Sequence, residues 1–265
     1  MLISHEVPKN LLDFSLNFND YDYFLVHQLC IPEYREFYNV SKSLKRRQIL
    51  DNSLYELKES FDPDKFADYI KELNPSEYLI PDAFNDFEKN ISMFDSWMSK
   101  YGNLNGIKIA TVHGKTIEEF QKAYNYFNKY DVKIAFNFAE SLYMNYGSDP
   151  IKEIQNAEGR YNVINSIKIN PNKKHHLLGC SYWAEFKYYK DFDFIETIDT
   201  SNPIMAAFEG KRYPISNKPK LAVDDCQNIT LTKKIFDDIE FNVRAFRANL
   251  GVPCNFKIDI KNIDF

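Results

Sequence analysis

Glycine is scarce in this chain, at 8 of 265 residues, and no G-x-G-x-x-G follows a candidate strand. Cradling a phosphate with backbone N–H groups depends on such glycines, so glycine-loop phosphate binding and a dinucleotide fold are not expected. Cysteine is scarcer still: Cys30, Cys180, Cys226 and Cys254 stand far apart, with no C-x-x-C pair. A tetrahedral zinc site needs closely spaced ligands and a disulfide frame needs denser cysteines. The four are therefore expected to be reduced thiols of a cytoplasmic protein without a metal centre. No run of about 18 apolar residues occurs, so no membrane span is expected. The start, MLISHEVPKNLLDF, carries charge early and lacks an apolar h-region, so no signal peptide is expected. Positive charge is not in excess either. With 33 Lys plus Arg against 38 Asp plus Glu, the net charge of −5 argues against coating nucleic acid by charge alone, but not against a local basic groove. No Ser-His-Asp motif is evident.

What is present is a large core. Hydrophobic residues make up 44% of the chain, and there are 18 Tyr, 22 Phe and 2 Trp. Short apolar runs at 1–5, 21–27, 48–52, 78–82, 107–113, 133–138, 175–180 and 194–199 read as buried parallel strands. Helical periods lie between them at 8–18, 32–43, 64–73, 87–100, 117–129, 151–167 and 183–191. A last helix covers 231–250, with Ile235, Ile239, Val243, Phe246 and Leu250 on one stripe and Gly251 as its stop. Pro8 and Pro32 suit a first helical turn, and Asp62 and Thr116 suit N-caps. Eight strands each followed by a helix predict a (β/α)8 TIM barrel, a single α/β domain spanning 1–265 with no zinc subdomain.

In such a barrel the chemistry sits at the C-terminal ends of the strands. Those ends are His5-Glu6, His27, Asp51-Asn52, Asp82, His113-Gly114, Asn137, Gly179-Cys180 and Asp199-Thr200. A single strand-end Asp commonly caps the next segment, but this many convergent polar ends predict a polar small-molecule pocket. Carboxylates without Cys/His clustering suit nucleophile and acid/base work better than a tight metal centre. The rival from the same residues is a divalent-metal hydrolase using His5, His27, Asp82 and His113. The run Lys173-Lys174-His175-His176 reads as a solvated strand entry at the wrong barrel end for catalysis.

At these strand ends the sequence resembles the tRNA-guanine transglycosylase family, closest to its short phage and bacterial branch that inserts 7-deazaguanine derivatives into DNA. Residues 49–56, ILDNSLYE, resemble the family's D-S-G-G-[FY]-Q, without either glycine. Tyr78-Leu79-Ile80-Pro81-Asp82 resembles the strand that ends in a base-recognising Asp. Ile109-Ala110-Thr111-Val112-His113-Gly114 is similar to V-Q-G, with His113 where glutamine is usual. His176-Leu177-Leu178-Gly179-Cys180 is similar to L-M-G-V, and Phe194-Ile195-Glu196-Thr197-Ile198-Asp199 falls where the nucleophile strand belongs. The five occur in family order over residues 49 to 203, and the C-terminal zinc motif of the family is absent.

The resemblance implies base exchange, replacing guanine in nucleic acid with a 7-deazaguanine derivative through a covalent glycosyl-carboxylate. It implies Asp51 as general acid/base, Tyr55 and Leu178 as the purine sandwich, and Asp82 on the Watson–Crick edge. Asn52, His113, Gly114, Asn137 and Gly179 complete the base site. The nucleophile is Asp199 or Glu196. Strict alternation puts 195, 197 and 199 on one face and 194, 196 and 198 on the other, so only one of the two acids faces inward. Asp199 is favoured by residue type and by the loop that follows it. The expected partners are nucleic acid (DNA ahead of tRNA) and a 7-deazapurine base, with a homodimer, no cofactor and no membrane. The non-enzymatic alternative is a barrel that binds a deazapurine or a protein partner without turnover.

Overall fold

Every predicted strand forms, and all eight pair in parallel. The computed structural model describes residues 1–138 and 141–254. Strands β1 (Leu2–Ser4), β2 (Asp22–Leu25), β3 (Gln48–Asp51), β4 (Glu77–Leu79), β5 (Ile107–Val112), β6 (Lys133–Phe136), β7 (His175–Leu177) and β8 (Ile195–Asp199) make one sheet in the order 1-8-7-6-5-4-3-2. The sheet curls into a nearly closed (β/α)8 barrel. At its seam Asp20 N–H donates to the Ile3 carbonyl at 2.9 Å, and the Asn19 amide spans the backbone N–H and C=O of His5. Most strands stop one or two residues before their apolar run does. Asp82, His113 and Asn137 leave the ladder where their side chains turn into the mouth.

The helices follow their sequence signals. They are α1 (Leu12–Ser15), α2 (Pro32–Ser43), α3 (Leu54–Leu57), α4 (Pro63–Leu73), α5 (Phe87–Tyr101), α6 (Ile117–Phe127), α7 (Ser141–Met144), α8 (Lys152–Ser166), α9 (Asn202–Phe208) and α10 (Lys233–Leu250). In α2, Tyr34, Phe37, Tyr38 and Ser41 are buried at i, i+3, i+4 and i+7, the stripe that faces a sheet. Asp62 and Thr116 cap α4 and α6, accepting from Lys65 N at 2.9 Å and Glu119 N at 3.1 Å. Gly251 ends α10.

Two of the expected helices are corrected, and three others appear. The stretch 183–191 holds only a 3-10 turn, Glu185–Tyr189, and 8–18 holds a 3-10 turn plus the single-turn α1. The short helices α3, α7 and α9 are additional, and each is too brief to show a full hydrophobic period. Tertiary burial makes α9 helical: Ile204, Met205, Ala206 and Ala207 are all buried there.

The core has two parts. A shell between sheet and helices contains most aromatics, while Tyr21, Tyr23, Leu25, Ile49, Leu79, Ile109 and Ala135 fill the barrel interior. Beneath the mouth the interior is polar. Lys133 Nζ contacts Glu77 Oε2 at 3.2 Å, Glu196 Oε2 at 3.0 Å and Thr197 Oγ1 at 2.5 Å, and Arg47 bridges Glu77 and Glu196. Among the described residues no helix is long and apolar enough to cross a membrane. All four cysteines are free thiols.

Candidate functional site

A cavity of about 490 Å³ opens at the C-terminal ends of the strands, where the barrel places functional residues. Asp51, Asn52, Tyr55, Asp82, His113, Asn137, Leu178, Gly179 and Asp199 all line it. Nine positions spread over 149 residues of sequence thus meet in one place.

Asp199 ends β8 and receives two donors. His176 Nε2 lies 2.9 Å from Oδ1, and Gly179 N–H lies 3.3 Å from Oδ2. The tautomer of His176 follows from its other nitrogen. Thr197 Oγ1 accepts from the Lys133 ammonium and so turns its own proton toward His176 Nδ1, 2.8 Å away. Nε2 then carries the ring proton and donates it to Asp199. A hydrogen-bonded column therefore climbs the barrel axis from Lys133 through Thr197 and His176 to Asp199. Burial lowers the His176 pKa, against the opposing pull of Asp199, which favours a neutral imidazole acting as an orienting donor. The expectation that 173–176 is a solvated, misplaced run is thereby corrected: His175 and His176 are fully buried, and His176 reaches the site. Strand alternation from Leu178 back to His176 was the signal available in the sequence.

Asp51 ends β3. Tyr23 Oη donates to its Oδ2 and Ser53 N–H to its Oδ1. Burial drives its carboxyl well above the usual range and Glu56 adds to this, while the Tyr23 and Ser53 donors oppose it. Ser53 holds φ +60°, left-handed backbone in the position where the resembling motif carries its first glycine. The turn keeps its shape without that glycine, and its N–H still points at Asp51. Tyr23, stacked on His176 at 5.8 Å and 10°, links the two aspartates. In the sequence alone, a tyrosine inside an apolar strand is indistinguishable from core.

Asp82 is held by Asn52 Nδ2 at 2.9 Å and His113 Nε2 at 2.8 Å, and Asn137 Nδ2 sits 2.8 Å from His113 Nδ1. Asn52 also donates to the Ile80 carbonyl, so it positions Asp82 as well as facing the cavity. Phe84 and Phe138 join Tyr55 to make an aromatic rim, with the Tyr55 and Phe138 centroids 5.0 Å apart. Two buried polar atoms in residues of the cavity wall, Thr111 Oγ1 and Asn202 Nδ2, have no hydrogen-bond partner among the described residues.

Glu6 belongs to the same wall although it lies outside the carboxylates assigned from sequence. Burial raises its pKa well above normal, and Asp199, Glu56 and a hydrogen bond to Asp199 raise it further. Glu6 is thereby driven toward its neutral form beside Asp199. The register brings them together, since Ser4 in β1 pairs with Asp199 in β8 and Glu6 N–H donates to the Thr200 carbonyl.

Two assigned residues lie elsewhere. Glu196 sits at the opposite end of the barrel beside Lys133 and Arg47. Burial alone would raise its pKa, but Arg47 and Lys133 hold it at about 2. The alternation argument fails at this residue because β8 carries a bulge: His175 pairs with Ile195 but His176 with Thr197, leaving Glu196 as the extra residue. Ile195 therefore faces the outer shell with Ile198, while Thr197 and Asp199 face inward. Gly114 does not line the cavity. A Cβ there would come 2.7 Å from Phe120 N, so its bareness lets the strand end pack on α6.

The metal-hydrolase set is dispersed as well. His5 is enclosed by Phe18 and Phe246 with its pKa lowered to about 3 by burial, and His27 faces Asp224 at 3.9 Å. Of that set only Asp82 and His113 touch. Among the described residues no group of three His, Cys, Asp or Glu is placed to hold a metal ion. The site is therefore an acidic, aromatic-rimmed pocket. Neither a protein-family model nor a curated protein matches the chain.

Proposed function

We propose that this chain is a base-exchange transglycosylase acting on guanine in nucleic acid, DNA ahead of tRNA, and installing a 7-deazaguanine derivative. One observation carries the reading: two aspartates from different strands face one cavity, each held by its own donors, beside a base-sized aromatic rim. Asp199, oriented by His176 and Gly179, is the nucleophile. Its carboxylate attacks C1′ through an oxocarbenium-like transition state, forming a C1′–O ester as the C1′–N9 bond breaks and its electron pair leaves with guanine. Backbone amides at the mouth stabilise the departing anion, while His113, which accepts from Asn137 and donates to Asp82, orients that carboxylate. Asp82 keeps lone pairs free for the N–H groups of the Watson–Crick edge, even with Asn52 and His113 bound. Asp51, whose pKa burial raises, gives its proton to N9 of the departing guanine and then, as a carboxylate, removes the N9 proton of the incoming base. Its raised basicity suits that step, and the new N9 attacks C1′ to release Asp199. In a duplex the target base must first flip out, with Tyr55 as its platform.

The test is intact-mass detection of a protein–oligonucleotide adduct after incubation with guanine-containing DNA or tRNA. Mass spectrometry of nucleosides from cells making the protein would complement it. Asp51→Asn is expected to lose base exchange at wild-type stability, because an amide cannot take the N9 proton. Normal exchange by that variant sinks the assignment. Tyr55→Ala is expected to weaken purine binding by about 1–3 kcal/mol, the scale of base–aromatic stacking. Tyr55 is 40% exposed on α3, so this substitution leaves the core intact, and an unchanged Kd would remove it from the base site.

A further inference from the structure

The geometry points to Lys218 as the residue that recognises a phosphate attached to the base-bearing sugar, an assignment that rests on the base-exchange reading and names what accompanies the base. Lys218 lies on the segment 209–232 between α9 and α10, which runs over the mouth. The segment is fastened on both sides of it. The Glu209 carboxylate accepts from Lys220 and Leu221 N–H, the latter at 2.9 Å, and Gln28 Nε2 donates to Asp224 at 2.8 Å. Pro219 beside it is buried. The Lys218 stem is half-buried, and its ammonium stands 4.8 Å from the Phe138 centroid, 5.5 Å from the Tyr55 centroid and 3.5 Å from Tyr55 Oη.

Among the described residues this ammonium forms no ion pair, although Glu6, Asp51, Glu56, Asp82 and Asp199 line the same cavity. The charges are graded: Asp51, Asp82 and Asp199 are buried, and Glu6 beside Asp199 is driven toward its neutral form. Lys58, Lys218 and Lys220 are exposed or half-buried and outnumber the charged acids at that level, the exposed Asp224 and half-buried Glu56. An anion is repelled from the floor and attracted to the rim, so a ligand bearing a base and a phosphate enters base first. Lys218 now covers the rings on which that base would stack, a weak cation–π contact. Rotation of its side chain frees the rings and leaves the ammonium one sugar away, where the phosphate lies. A neutral nucleoside displaces the ammonium and gives it no anion in return.

The experiment is calorimetric binding of 2′-deoxyguanosine and of deoxyguanosine 3′,5′-bisphosphate to the full chain, to Lys218→Met and to Lys218→Arg, at low and high salt. The wild type is expected to bind the bisphosphate about tenfold more tightly, the scale of one charge-assisted contact, with a preference that shrinks as salt screens it. Lys218→Met should bind the nucleoside at least as well as the wild type and lose the preference. Lys218→Arg should keep it. A preference retained in Lys218→Met, or absent in a wild type that binds both ligands, overturns the assignment and leaves the purine site standing. Failure of both ligands to bind the wild type overturns both readings.

Discussion

Asp199→Asn is expected to abolish the covalent glycosyl-enzyme and lower base exchange on the order of 10⁴- to 10⁶-fold, the scale of removing a nucleophile. An amide retains the shape and can still accept from His176 and Gly179, so the fold should persist while the attacking oxygen loses its charge. Glu196→Gln is the control on the same strand. Its carboxylate faces Lys133 and Arg47 at the far end of the barrel, so the adduct should form at wild-type yield. Stability should fall by about 1 kcal/mol or less, because Glu196 is partly exposed and Glu77 remains to balance both cations. Intact mass after incubation with a guanine-containing oligonucleotide reads both variants. An adduct that survives in Asp199→Asn and disappears in Glu196→Gln would reverse the assignment.

Arg160→Met should be the most destabilising single change in the wall of the site. Arg160 is fully buried and donates to the carbonyls of Phe136 at 2.6 Å, Gly179 at 2.9 Å and Leu178 at 3.1 Å, and to Glu185 at 3.0 Å. It ties the ends of β6 and β7 together, and the Glu185 carboxylate in turn accepts from Ser181 N–H at 2.9 Å. Methionine fills the volume but leaves a buried acid without its cation and the Leu178 and Gly179 carbonyls without this donor, while Phe136 keeps the Leu178 N–H at 3.0 Å, for a loss of about 3–5 kcal/mol. In a chain of this size that corresponds to a fall in Tm on the order of 10 °C. The same loop carries Gly179, whose φ of +53° lets its N–H face Asp199, so exchange should fall as well. Adding Glu185→Leu should recover part of the stability by removing the orphaned charge. A thermal unfolding curve that matches the wild type for Arg160→Met would show that these bonds are dispensable.

The sequence by itself determined the barrel and most of its mouth. Eight brief apolar runs separated by capped helical periods leave little choice but parallel strands with helical crossovers, since a strand buried on both faces reads as continuous apolar sequence. A polar residue terminating such a run must turn toward the mouth, so Asp51, Asp82, His113, Asn137 and Asp199 were legible from local pattern alone. Only the tertiary structure decided what holds them. His176 looked like part of a basic surface run until the interior column from Lys133 through Thr197 was seen to end on it. Tyr23 looked like core until its hydroxyl met Asp51. The bulge at Glu196 depends on pairing between β7 and β8, and no single strand encodes the register of its neighbour. Glu6 and Lys218 lie far from Asp199 and Tyr55 respectively in sequence, and only closure of the barrel and the path of the 209–232 segment bring them together. Period and capping are short-range properties that a chain carries with it. The pairing of Glu6 with Asp199, the fixed tautomer of a histidine and an ammonium resting on two rings arise from contacts between distant segments, and those exist only once the barrel has closed.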